Sequence, residues 1–147
     1  MRLCALGGTT IVTAFVLTGQ VLTGYVSTAE AQKSKSAGQE ARFERSLKML
    51  DPDVRLEQLC DYTAMTNIRK DAHEYRPDRA VAGARAEPRV TGHSIEAKGA
   101  AFRSRKKWYA LTYTCAADAE HMKVLSFKYT IGEEIPESKW ASYNLWD

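Results

Sequence analysis

From Ala41 the apolar positions take on a helical period. Phe43, Leu47 and Leu50 recur at spacings of four and three, which predicts a helix over about residues 41–50. A second helix is announced by Asp51-Pro52-Asp53. Asp51 suits the N-cap, Pro52 the first helical position, and the Asp53 carboxylate the positive end of the helix dipole. Leu56, Leu59, Cys60, Ala64 and Ile68 then fall close to one face. Arg69 and Lys70 place cations in the last turn, and Arg76-Pro77-Asp78 stops helix formation. The pattern predicts a helix over about 52–71 with Cys60 on its buried stripe.

After Pro77 the period drops to two. "AVAGARAEPRV" and "HSIEA" read as short strands punctuated at Pro88, Gly92 and Gly99. "AAFRS" and "WYALTYTC" flank a charged turn, and "MKVLSFKYTI" follows a loop over 116–121. Tyr109, Leu111, Tyr113 and Cys115 share one face of their strand. Leu125, Phe127, Tyr129 and Ile131 share one face of the next. Both sets are large and mostly apolar, so both are expected on the core. "GEEIPESKWASYNLWD" begins a short helix near Pro136 and ends in aromatics. The expected fold is α+β: one or two N-terminal helices packed on an antiparallel sheet of four or five strands, with a short C-terminal helix.

The first 31 residues differ from the rest. Arg2 is the only charge before Glu30, an apolar stretch follows it, and Ala29-Glu30-Ala31 is an A-x-A cleavage pattern. These features define a secretory signal peptide over 1–31, with an uncleaved N-terminal membrane anchor as the alternative. Either places the remainder outside the cytosol. Cys4 precedes the apolar stretch, so it is not the lipid-bearing cysteine of a lipoprotein. Residues 32–40, polar and short-chained, read as a flexible leader, and 41–147 as a single domain.

Export changes the reading of the cysteines. The exported part keeps two, Cys60 and Cys115. An even pair in an oxidising compartment is most simply a disulfide. Both lie on predicted core faces, so the bond would fasten the helix to the sheet.

Composition adds little. Of 147 residues, 44% are hydrophobic and 27% charged, which excludes a disordered chain, and a net charge of +3 suits an anionic partner without demanding one. Several separated blocks, "LDPDVRLEQLCDYTAM", "RPDRAV", "SIEAKGAAFRSRKKWYALTYTC", "HMKVLSFKYTIGEEIP" and "YNLW", together resemble an alphaproteobacterial exported family, domain of unknown function 930. The resemblance spans about residues 48–146. It implies a bacterial, periplasmic protein, and it carries no activity and no catalytic residues.

Chemistry-bearing patterns are few. His73, His93 and His121 form no H-x-x-x-H or H-E-x-x-H pair and C-x-x-C is absent, so no metal, cofactor or redox-active site is expected. A catalytic thiol at Cys115 would need a base such as His93 or His121, and its core position disfavours that role. Asp51 and Asp53 are accounted for by capping, and Glu133 and Glu134 by a turn before a helix. Neither pair indicates the cleft that paired-carboxylate hydrolysis requires. No catalytic residue is assigned.

One feature remains. "RSRKKWY", residues 103–109, holds four cations in five positions and then two aromatics. Arg103, Arg105, Lys106 and Lys107 lie on a hairpin tip and its flanks, and Trp108 is expected to be exposed beside them. Guanidinium forks bind phosphate or carboxylate, and an exposed Trp stacks on a sugar or sits at a lipid headgroup. A solvated turn is the plain alternative. Nucleic acid fits the charge but not the compartment. The sequence therefore leads to a non-enzymatic periplasmic binding or interaction module of the cell envelope. Its basic hairpin would meet an anionic envelope component or another envelope protein, with membrane-surface contact as one form of this. The alternatives are a small inhibitor or accessory subunit of an envelope enzyme, and a hydrolase with a dispersed site.

Overall fold

The computed structural model describes the chain from Val26 to Asp147, with side chains from Ala37 onward. The proposed signal segment before Val26 lies outside the described residues. By its internal contacts the chain divides after Ala37, and the fold described here is that of Gly38–Asp147.

The first helix, α1, runs Val26–Lys48. It therefore passes through residues 32–40, which the sequence reading gives as a flexible leader. The physical reason is propensity: Ala, Gln, Lys and Glu dominate this stretch, no proline interrupts it, and all four favour helix. Helix α2 runs Pro52–Asp71, as the periodicity predicts, with Leu56, Leu59, Cys60, Ala64 and Ile68 buried. Pro52 opens it, but Asp51 makes no side-chain capping bond. The Asp51 carbonyl instead accepts from the Arg55 backbone N–H at 2.8 Å. The Arg55 guanidinium donates to the carbonyls of Leu47, Leu50 and Glu120, tying the α1–α2 turn to the loop that holds Glu120.

Five antiparallel strands follow: β1 Pro77–Val81, β2 Arg89–Thr91, β3 Ser94–Ser104, β4 Lys107–Ala117 and β5 Val124–Ile135. The order is β1-β3-β4-β5, with β2 sharing the outer edge of β3. "HSIEA" and "AAFRS", expected as separate strands, are one strand, β3, and "AVAGARAEPRV" is two strand ends with a loop between them. Gly99 explains both. It sits where β3 shifts register, and the loop backbone crosses it so closely that a Cβ there would lie 2.3 Å from the Ala86 nitrogen. Glycine here lets a loop approach β3 without ending it.

The sheet has a core on each face. On the α2 side Leu111, Tyr113 and Cys115 of β4 pack with Ile95, Phe102 and the α2 stripe, and Tyr109, Phe127, Tyr129 and Ile131 adjoin them. The Cys60–Cys115 disulfide crosses this layer, as expected. Leu125 departs from the expectation: it is 65% exposed, because the ladder slips between Ala116 and Ala117 and leaves it in a bulge. On the opposite face Ala84, Ala101, Trp108, Ile135 and Leu145 form a second cluster. The C-terminal segment covers it with a short helix, α3, Glu137–Trp140, and a 3-10 turn, Ala141–Tyr143.

Candidate functional site

β3 and β4 are joined by a two-residue turn, Arg105-Lys106, with φ of +51° and +65°. Two left-handed residues are what a tight hairpin of right-twisted strands demands, and Asn-Gly is the pair that adopts them most easily. Here both positions carry long cations against backbone preference. Both are exposed, and neither makes an ion pair among the described residues.

The flanking cations are engaged. Arg103 forks onto the Asp78 carboxylate, Nε to Oδ1 at 2.9 Å and Nη2 to Oδ2 at 3.2 Å, and Nη1 reaches the Trp146 carbonyl at 3.4 Å. Asp78 holds its guanidinium even more firmly protonated than usual. Lys107 pairs with Glu134 at 2.9 Å.

Trp108, expected at the surface, is fully buried. The alternation along β4 places it opposite Tyr109, as read, but that face is roofed by the C-terminal segment. The Trp108 Nε1–H donates to the Trp146 carbonyl at 3.0 Å. The exposed aromatic of this end is instead Trp146, 51% exposed, with the Arg79 guanidinium 4.8 Å above its ring. Arg76 stands beside the turn, its backbone N–H bonded to the Ser104 hydroxyl at 2.8 Å. The Arg76 guanidinium itself folds back onto the His73 and Tyr75 carbonyls, so the hairpin end presents Arg79, Arg105, Lys106 and Trp146 (two of them remote from the tip in sequence). Asp78, Glu134 and Asp147 offset part of its charge.

Two further polar groupings stand out, one in the core and one at its edge, where His121 is buried and His93 exposed. The Asp61 carboxylate, on the buried face of α2, accepts from the Tyr113 hydroxyl at 2.9 Å. Burial pushes its pKa up to about 7, and the neighbouring Glu57 adds to the rise. Burial and the Asp61 charge together push the Tyr113 hydroxyl far above the ordinary tyrosine range. The spacing of Asp61 to Ala64 and Ile68 places it on the buried stripe, the signal from which the sequence reading omitted it.

The second grouping is His93 and His121, which carry no local motif. Nδ1–H of His121 donates to the Pro52 carbonyl at 2.7 Å, so its Nε2 accepts from Nδ1–H of His93 at 2.9 Å. Neither is a base for Cys115, whose sulfur is committed to the disulfide. Among the described residues no group of three or more His, Cys, Asp or Glu is arranged to hold a metal.

The family model described as Domain of Unknown Function (DUF930) matches residues 47–145. No curated protein and no solved structure matches the chain.

Proposed function

The chain belongs to the family described as Domain of Unknown Function (DUF930), and we propose that it is a non-enzymatic interaction module of the cell envelope that meets an anionic partner with its hairpin end. The observation that carries this reading is the turn itself. Arg105 and Lys106 occupy the two left-handed positions of a two-residue hairpin, where the backbone favours small residues. Placing cations there lowers stability and extends two unpaired charges past the end of the sheet. Strain kept at a surface of this kind is a mark of use. Arg79 and Trp146 supply a second contact of the kind that meets a phosphate or a headgroup layer.

Export from the cytosol is part of the proposal. It is supported by the A-x-A pattern ahead of Gln32 and by a disulfide in the core. None of the described helices is long and apolar enough to cross a membrane. The test is retention of the wild-type protein on vesicles of anionic lipid against vesicles of neutral lipid, with added salt. Retention on the anionic surface that falls steeply with salt is expected, because screening reaches within about 8 Å at physiological ionic strength. Equal retention on both surfaces, or none on either, contradicts the proposal.

A second reading, an accessory subunit of an envelope enzyme, is favoured by one observation. Phe43, Leu47, Leu59, Tyr62, Met122 and Val124 form the apolar floor of an open groove of about 260 Å³ between the helices and the start of β5, with Glu40, Glu44, Thr63 and Lys123 also in its lining. An apolar groove of that kind fits a protein partner's side chain. Replacing Tyr62 with lysine would abolish such a contact and leave vesicle retention unchanged.

A further inference from the structure

The last strand in the sheet, β5, pairs with β4 along one edge and, among the described residues, has no neighbouring strand on the other. Its outer edge is a row of backbone N–H and C=O groups that an extended chain can satisfy. Proteins usually blunt such an edge with charges, prolines, bulges or a covering loop. In β5 the bulges fall at the ends, at Leu125 and around Gly132-Glu133, where the ladder to β4 shifts register. The stretch between them is regular: Phe127 pairs with Cys115, Lys128 with Thr114, Tyr129 with Tyr113, Thr130 with Thr112 and Ile131 with Leu111. Within Ser126–Ile131 there is one charge, Lys128, and no proline.

The two faces of that stretch differ. Phe127, Tyr129 and Ile131 lie on the α2 side, packed against the core yet only half buried. Ser126, Lys128 and Thr130 lie on the opposite side and are exposed. An extended partner that continues this sheet must therefore bring apolar residues to one side and small or polar residues to the other.

We propose that the partner is a second copy of this chain, and that two copies join β5 to β5 in an antiparallel pair about a two-fold axis through Tyr129. In that register Phe127 faces the second copy's Ile131, Tyr129 faces itself, and Lys128 faces Thr130. Every residue meets one on the same face, apolar on the α2 side and polar on the other. Neighbouring registers fail. An axis through Lys128 sets two ammonium groups directly opposite, and an axis through Thr130 brings Glu133, on its bulge, against Phe127. A strand that meets itself face for face about a residue-centred axis fits the isologous interface of a two-fold dimer. The result is one sheet continuous across both copies.

The test uses a charge swap at Thr130, which is exposed and on the polar side. Sedimentation of the purified protein over a concentration series should show the monomer in reversible equilibrium with a dimer. Thr130→Lys places a cation opposite Lys128 twice over, by symmetry, and should weaken the dimer roughly tenfold. Thr130→Glu places an anion there instead and should tighten it by a similar factor. Thermal melting at low concentration checks that both variants keep the monomer fold. Tyr129→Lys, which sets two like charges on the axis, should remove the dimer. A wild type that stays monomeric at every concentration overturns the proposal. So does a dimer that the two Thr130 variants leave unchanged or shift in the same direction.

Discussion

The Tyr113 hydroxyl donates to the Asp61 carboxylate at 2.9 Å inside the layer between α2 and the sheet, one residue along the helix from the cysteine that bonds Cys115. A buried carboxylate is expensive when ionised, and among the described residues Asp61 has no cationic partner. Its pKa is raised from 3.8 to about 7, so the folded state holds its proton more tightly than the unfolded chain. That stabilisation is complete below about pH 4 and is lost as pH rises through about 7. The loss is on the order of 4 kcal/mol between those limits, taking about 1.4 kcal/mol per pH unit. Urea unfolding as a function of pH should therefore show stability falling between about pH 4 and about pH 7, and Asp61→Asn should flatten that profile. Tyr113→Phe removes the hydrogen bond that favours the charged form, so it should extend the fall to higher pH without moving its onset.

The disulfide gives an independent check on the same layer. Cys60 and Cys115 are 55 residues apart in sequence. Closing a loop of that length stabilises the fold by about 4 kcal/mol in the chain-entropy model. Non-reducing peptide mapping should find the cross-linked pair. The Cys60→Ala/Cys115→Ala variant should unfold at markedly lower denaturant.

Much of this architecture is legible in the sequence because single-face periodicity is a local signal. The bounds of α2 follow from Pro52 and from the breaker at Pro77. The core faces of β4 and β5 follow from Leu111, Tyr113, Phe127, Tyr129 and Ile131. What eludes the pattern depends on contacts distant in sequence. Gly99 reads as a strand break until the loop at Ala86 is seen lying across it. Leu125 reads as core because a bulge leaves no mark in an alternation. The hairpin end divides in the same way. Its turn and its cations are visible in "RSRKKWY", but the role given to Trp108 passes to Trp146. The carboxylates that engage Arg103 and Lys107 come from Asp78 in β1 and Glu134 in β5.

That division separates the four hairpin cations by mutation. Arg103→Gln leaves Asp78 without its guanidinium and takes one donor from the Trp146 carbonyl. It should lower stability by about 1–2 kcal/mol, because the pair is bidentate and half shielded from water. Arg105→Gln with Lys106→Gln should change stability by less than about 0.5 kcal/mol, as exposed unpaired charges do. Thermal melts of the two variants side by side would show the difference.

The most direct measurement replaces the turn cations with the residues the turn prefers. Arg105→Asn with Lys106→Gly suits both left-handed positions and should raise stability by about 1 kcal/mol. If the hairpin end is the contact surface, the same variant should lose most of its salt-sensitive retention on anionic vesicles. The account predicts both changes together, a more stable protein that binds less. A variant that is more stable and binds as strongly as the wild type would contradict it.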